Sequence, residues 1–259
     1  MRLGIIGGTG SAGLFTGGLF DESALSLVAG PADGLWGDSS APLRRGAFAG
    51  HEIFFLPRHG APDAPAIPPH RVNYRANVWT LAQVGVDHVL AINAVGGIAL
   101  EATPGRLVVP DQLIDYTWGR EHTYTGDLRF PLRHVDFTAP FSPPLRSQLL
   151  ASARRLGLDV MPTATYGVTQ GPRLETAAEI DQLERDGCHV VGMTAMPEAG
   201  LARELEISYA MCCVVVNQAA GRVPAGTTIH SQIAASLADG MTAVQRLIGG
   251  LLREAGSPG

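Results

Sequence analysis

Residues 192–221 concentrate side chains suited to holding a small polar ligand. Met193 and Thr194 place a thioether and a hydroxyl in one turn. Glu198 gives the following helix an acidic start, and the apolar run 211–216 delivers an amide, Asn217, to the end of an expected buried strand. An amide accepts at one edge of a flat heterocycle and donates at the neighbouring position, so Asn217 is the residue expected to report what the chain binds. Other chemistry-bearing turns are Gly7 to Gly10, Arg58-His59-Gly60, Asn93-Ala94 and Gly171 to Thr176. Each has a plain alternative taken alone: a glycine turn permits tight backbone geometry, an Arg-His pair sits on the surface, and a buried Asn is a structural amide. Their weight comes from falling together at the ends of expected strands.

The elements that would position these turns follow from periodicity and punctuation. Residues 3–6 are apolar and break at Gly7-Gly8, which predicts a buried strand feeding a glycine turn. Short β-like pieces occupy 25–56, clearest at 51–56, and Pro62, Pro65, Pro68 and Pro69 stiffen the loop that follows. Asn73 is placed to cap a helix reaching about Gly85, with Ala76, Trp79, Ala82 and Gln83 on its inner face. A strand is expected over 86–93 with a turn at 94–97, and further strands at 107–109, 113–116, 163–168, 189–191 and 209–217. Helices are expected at 145–156, 176–185, 198–205 and 231–253, and a long functional loop at 117–144, rich in His, Pro and aromatics. Alternation without repeats predicts an α/β fold. The expected form is a single domain over 1–259 with a central mixed, mostly parallel sheet flanked by helices. Ligands bind such sheets beyond the carboxyl ends of the strands.

Composition narrows the partners. A chain of 259 residues, 46% hydrophobic and 17% charged, can bury one large core. A net charge of -5 without a basic cluster argues against a nucleic-acid partner. Cys188, Cys212 and Cys213 form no disulfide framework, and no spacing suggests a metal site. The N-terminus reads as a strand rather than a signal peptide, and no apolar run approaches the roughly 18 residues of a membrane span. The expectation is a cytoplasmic protein without a membrane partner.

Gly8-Thr9-Gly10-Ser11-Ala12-Gly13 fits the G-x-G-x-x-G dinucleotide fingerprint. The context does not, because residues 14–18 make a poor helix and no acid closes a second parallel strand. A smaller task suits the turn better: backbone amides and the Thr9 hydroxyl holding a single phosphate.

Gly7-Gly8-Thr9-Gly10, Pro57-Arg58-His59-Gly60, the run Val72-Asn73-Tyr74-Arg75-Ala76-Asn77, Gly171-Pro172-Arg173 and the run from Gly192 through Glu198 resemble the trimeric purine nucleoside phosphorylases. They are most similar to the 5'-methylthioadenosine phosphorylase branch, across essentially the whole chain. The resemblance implies reversible phosphorolysis of a nucleoside, a homotrimer, and inorganic phosphate as co-substrate with no cofactor. It puts Thr9, Arg58, His59 and Thr194 at the phosphate, Asn93 and Ala94 between phosphate and ribose, and Met193 against the ribose. An arginine fork and hydroxyls suit phosphate oxygens.

The departures from that branch bear on the base. Methylthioadenosine enzymes carry aspartates at the positions of Asn217 and Ala219. Enzymes acting on 6-oxopurines resemble this chain at Asn217 and at Glu175. The Asn217 NH2 would donate to a 6-oxo group and its carbonyl would accept at N7, while Glu175 would accept from N1–H. Adenine offers neither match, and an unmatched buried polar group costs about 1–3 kcal/mol. A plain reading of Glu175 is a carboxylate at a helix start. Leu174 replaces the aromatic that stacks on the purine in both branches. His230 lies near the position of a histidine that bonds the 5'-hydroxyl in 6-oxopurine enzymes, where methylthioadenosine enzymes have an apolar residue. The combination points to S-methyl-5'-thioinosine as substrate and Asn217 as the catalytic amide, with methylthioadenosine and inosine as the alternatives.

Overall fold

The computed structural model describes residues 1–11, 26–28, 34–126, 129–223 and 228–255, apart from the side chains of 230, 231, 234 and 235. In chain order the strands and helices are β1 (Arg2–Gly7), β2 (Ser26–Val28), β3 (Leu43–Phe48), β4 (His51–Pro57), α1 (Tyr74–Gln83), β5 (His88–Gly97), β6 (Leu107–Val108) and β7 (Gln112–Asp115). There follow α2 (Pro143–Arg155), β8 (Val160–Met161), β9 (Thr165–Val168), α3 (Ala177–Arg185), β10 (Val190–Gly192), α4 (Ala195–Glu204), β11 (Ser208–Gln218) and α5 (Ile229–Ala255). One mixed sheet runs β2-β3-β4-β1-β5-β10-β9-β7, and β11, β6 and β8 extend from the other edge of β5. Among the described residues six of the ten strand pairings are parallel, so the expected sheet type holds.

Strands β5 and β11 are apolar along most of their length because both sheet faces are covered. Met211, Cys213 and Val215 enter a core with α1 and α4, whereas Ala210, Cys212, Val214 and Val216 enter a core with α2 and α5. Adjacent Cys212 and Cys213 therefore face opposite layers, and burial pushes the Cys212 thiol up to about 12. Helix α3 packs Ile180 and Leu183 on a third cluster beside Val191 and Ala219. Asn73 caps α1 as expected, accepting from the Ala76 amide at 3.1 Å. The inner face differs: Ala76 is buried, but so are Asn77, Val78 and Leu81, while Gln83 is exposed. The reason is that Asn77 is satisfied internally, exchanging hydrogen bonds with Ser40.

The decisive element is β5. On one edge it pairs with β11 from His88 to Gly97. On the other it pairs in parallel with β1 only as far as Ile92, and antiparallel with β10 from Gly96. Between them, residues 93–95 lie where the two neighbours diverge. The turn expected at 94–97 is thus strand. Gly96-Gly97 serves close approach instead, since a Cβ on Gly97 would lie 1.9 Å from the Ala102 carbonyl oxygen. A gap of this kind at the carboxyl end of a parallel sheet is where a ligand site forms.

Candidate active site

A cavity of about 460 Å³ opens at that divergence. Three strand ends meet there side by side. The Gly8 amide continues from β1 to donate to the Ile92 carbonyl at 2.9 Å, and the Arg58 amide continues from β4 to donate to Gly7 at 2.9 Å. A Cβ on Gly8 would stand 2.7 Å from the Ile92 oxygen and 3.0 Å from Arg58 Nη1, so only glycine lets this turn close over the guanidinium.

The cavity is lined by Thr9, Arg58, His59, Asn93, Ala94, Leu174, Glu175, Met193, Thr194, Asn217 and Ala219, all of them read from the sequence as site residues. His230 is the second residue of α5, and its side chain lies outside the described residues. The end of the dinucleotide-like motif, Ala12-Gly13, also lies outside them.

The structure corrects the role of the arginine fork. Arg58 is fully buried and gives Nε and Nη2 to Glu198, at 2.8 and 2.9 Å. Tyr209 donates to the same carboxylate at 2.7 Å. The bidentate partner is therefore an internal glutamate, and Nη1 alone is left to face the Gly8 turn and the cavity. Burial alone would lower the Arg58 pKa, but the Glu198 charge outweighs it and holds the guanidinium cationic. Glu198, expected to be an acidic helix start, is fully buried in this pair. The network continues from Arg58 Nη2 to Asn93 Oδ1 at 3.4 Å, and from Asn93 Nδ2 to Thr194 Oγ1 at 2.5 Å. Thr194 is the N-cap residue of α4 but its side chain makes no cap bond; Oγ1 accepts from Asn93, which leaves its hydroxyl hydrogen for a ligand.

The His59 ring pairs through Nδ1 with the Ile67 carbonyl at 2.8 Å. A carbonyl only accepts, so Nδ1 carries the hydrogen. Burial first, and then the Arg58 charge, lower the His59 pKa, which leaves Nε2 as a neutral acceptor.

At the far wall, β11 slips register between Val215 and Asn217, with Val216 as the extra residue. Strict alternation would send 216 and 217 to opposite faces, yet both line the cavity. Asn217 donates to the Gln218 carbonyl at 2.8 Å and is 7% exposed. That bond leaves one N–H and the whole of Oδ1 for a ligand. Glu175 is half-buried and accepts from the Thr169 hydroxyl at 2.6 Å. The capping of α3 is done by Thr176 and Glu179, so Glu175 has no capping duty. Leu174 is 43% exposed at the rim. Ile229 and Ile233 of α5, with Ile67, supply an apolar wall that sequence reasoning did not single out.

The sequence profile of the Phosphorylase superfamily matches residues 3–253. The chain belongs to this family. Among curated relatives, it is 46% identical to the probable S-methyl-5'-thioinosine phosphorylase of Xylella fastidiosa, over 98% of this chain and 99% of that one. It is also 46% identical to the 6-oxopurine nucleoside phosphorylase of Pyrococcus furiosus, over 73% and 72% of the two chains. Among solved structures, methylthioadenosine phosphorylase from Schistosoma mansoni in complex with adenine superposes with a TM-score of 0.87 at 29% identity, over all of this chain and 93% of that one. Among the described residues of this family member, no helix is long and apolar enough to cross a membrane, and no cluster of His, Cys, Asp or Glu is placed to hold a metal.

Proposed function

We propose that the protein catalyses phosphorolysis of 6-oxopurine nucleosides, with S-methyl-5'-thioinosine as preferred substrate and hypoxanthine and 5-methylthioribose 1-phosphate as products. The observation that carries the base assignment is the pairing of Asn217 with Glu175 on one cavity, with apolar Ala219 where an adenine-directed carboxylate would stand. The free Asn217 N–H matches a 6-oxo group, Oδ1 matches a hydrogen at N7, and the second Glu175 oxygen matches N1–H. Sites built around such bonds discriminate strongly against analogues that lack them. The wall of Ile229, Ile233 and Ile67 supports a methylthio rather than a hydroxyl substituent.

Phosphate sits at the Gly8 turn, held by its amides, Thr9, Arg58 Nη1 and Thr194, and donates its P–OH hydrogen to His59 Nε2, with Asn93 and Ala94 between it and the ribose and Met193 against the sugar. The C1'–N9 bond breaks with its electron pair going to the purine, and a phosphate oxygen forms the new bond to C1'. The purine gains a proton from solvent at N7, which Asn217 steadies by accepting its hydrogen bond. The protein contributes positioning and electrostatics. Inorganic phosphate is the co-substrate, no further cofactor takes part, and the working form is a cytoplasmic homotrimer. Phosphate-dependent turnover of methylthioinosine, methylthioadenosine, inosine and adenosine, measured side by side, tests this. Methylthioinosine should be fastest; faster methylthioadenosine cleavage defeats the base assignment, and faster inosine cleavage defeats the 5' assignment.

A further inference from the structure

We infer that Arg120 is a positioning residue: one guanidinium, outside the cavity, that holds three of its walls at fixed separation. Arg120 lies in the irregular chain between β7 and α2, is only 9% exposed, and does not line the cavity. Its donors go to Met193, which does, and to Gln170 and Met196 on the segments that carry other lining residues. Nε donates to Gln170 Oε1 at 3.1 Å and Nη2 to the Gln170 carbonyl at 2.9 Å, on the segment leaving β9 toward Glu175. Nη1 donates to the carbonyls of Met193 at 2.9 Å and Met196 at 2.6 Å, on the segment leaving β10. The third wall is reached through Tyr74. The Arg120 guanidinium carbon lies 5.5 Å from the Tyr74 ring centroid, and the Tyr74 hydroxyl donates to the Pro69 carbonyl at 2.9 Å.

These carbonyls lie at or beyond the ends of their strands, so the ladder does not satisfy them all, and a buried acceptor left without a donor is unfavourable. With Nη2 also reaching the Thr169 carbonyl at 3.3 Å, five N–H groups in one rigid plane meet four backbone carbonyls and Gln170 Oε1 at once. A lysine, with three donors on a flexible stem, cannot span the same set. The two strand-end segments carry Glu175 on one side and Met193 and Thr194 on the other, so Arg120 sets the distance between base recognition and the ribose–phosphate end. The inference rests on the proposed reading of the cavity as a nucleoside site.

The test compares Arg120→Lys and Arg120→Ala with the wild type. Both should lose about 100-fold in kcat/KM for nucleoside, the scale of a misplacement near 1 Å. The KM for phosphate should rise less than the KM for nucleoside, because of the phosphate residues only Thr194 lies on a segment that Arg120 holds while the Arg58–Glu198 pair is untouched, and added guanidinium ion should restore part of the Arg120→Ala activity. Full activity in Arg120→Lys, or a parallel rise of both KM values, overturns the inference. Amide hydrogen exchange gives a reading independent of turnover: Arg120→Lys should speed exchange over 169–175 and 192–197 and leave β1 and β5 protected, and unchanged exchange there overturns the role. Faster exchange over 169–175 and 192–197 in Arg120→Lys, with a wild type that cleaves no 6-oxopurine nucleoside, would sink the substrate reading and leave the positioning role standing.

Discussion

Asn217→Asp is the sharpest probe of base choice. In the wild type Nδ2 donates to the Gln218 carbonyl at 2.8 Å in a site only 7% exposed. An aspartate would put an oxygen in that place, facing another oxygen. Desolvation and this contact both disfavour the ionised form, so the new carboxyl should keep its proton and donate it to Gln218. It then has no second hydrogen for a 6-oxo group, but a lone pair of that same oxygen faces the 6-position and can accept from a 6-amino group, while Oδ1 stays at N7. Losing one matched hydrogen bond costs hypoxanthine-type substrates about 1–3 kcal/mol, roughly a 5- to 150-fold loss in kcat/KM. Methylthioadenosine should gain, although Glu175 still opposes it, so full inversion requires Glu175→Ser in the same chain. The assay is kcat/KM for methylthioinosine and methylthioadenosine at saturating phosphate, with a thermal melt to confirm folding. A folded variant whose substrate ratio moves by less than about twofold would refute the assignment of Asn217 to the 6-position.

Glu198→Gln should turn one acceptor of the Arg58 pair into a donor facing Arg58 or Tyr209, costing about 3–5 kcal/mol and lowering Tm by roughly 6–20 °C. Phosphate KM should rise more than nucleoside KM; a lower Tm with phosphate KM unchanged would remove Arg58 from the phosphate site. His59 has a folded pKa below its ordinary 6.5, so between those two values the unfolded chain binds more protons and stability rises with pH. That contribution is complete above about pH 6.5 and is lost as the pH falls toward the folded pKa. His59→Asn should flatten the denaturant midpoint against pH in that window, and an unchanged slope would contradict the buried neutral imidazole.

The strands and helices that carry the site were legible because their apolar runs are long and bounded by Gly, Pro or a cap: β11, α2, α3 and α5 lie within two residues of their expected limits or nearly so. The turn at 94–97 was misread because consecutive glycines signal a bend, whereas here they admit the Ala102 carbonyl. Chemical residues at strand ends stood out by type and place. Glu198 did not, because a glutamate in a first turn has an ordinary explanation in the helix dipole, and its partner Arg58 is 140 residues away. Arg120 was hidden for a stronger reason. Its partners are mostly backbone carbonyls, which carry no signature in side-chain identity, and they lie 49 to 76 positions along the chain.

The extra residue at Val216 has an evolutionary consequence. Upstream of it, β11 answers to two hydrophobic layers and every substitution is judged by packing. Downstream, the frame is reset: Asn217 lines the cavity, and Ala219 lies between the cavity and the cluster packed by α3. Substrate preference can therefore drift by exchanging one or two side chains at the strand tip while the sheet is inherited intact. The bulge works as a hinge between two selective regimes, letting one scaffold be retuned among purine bases without relearning how to fold.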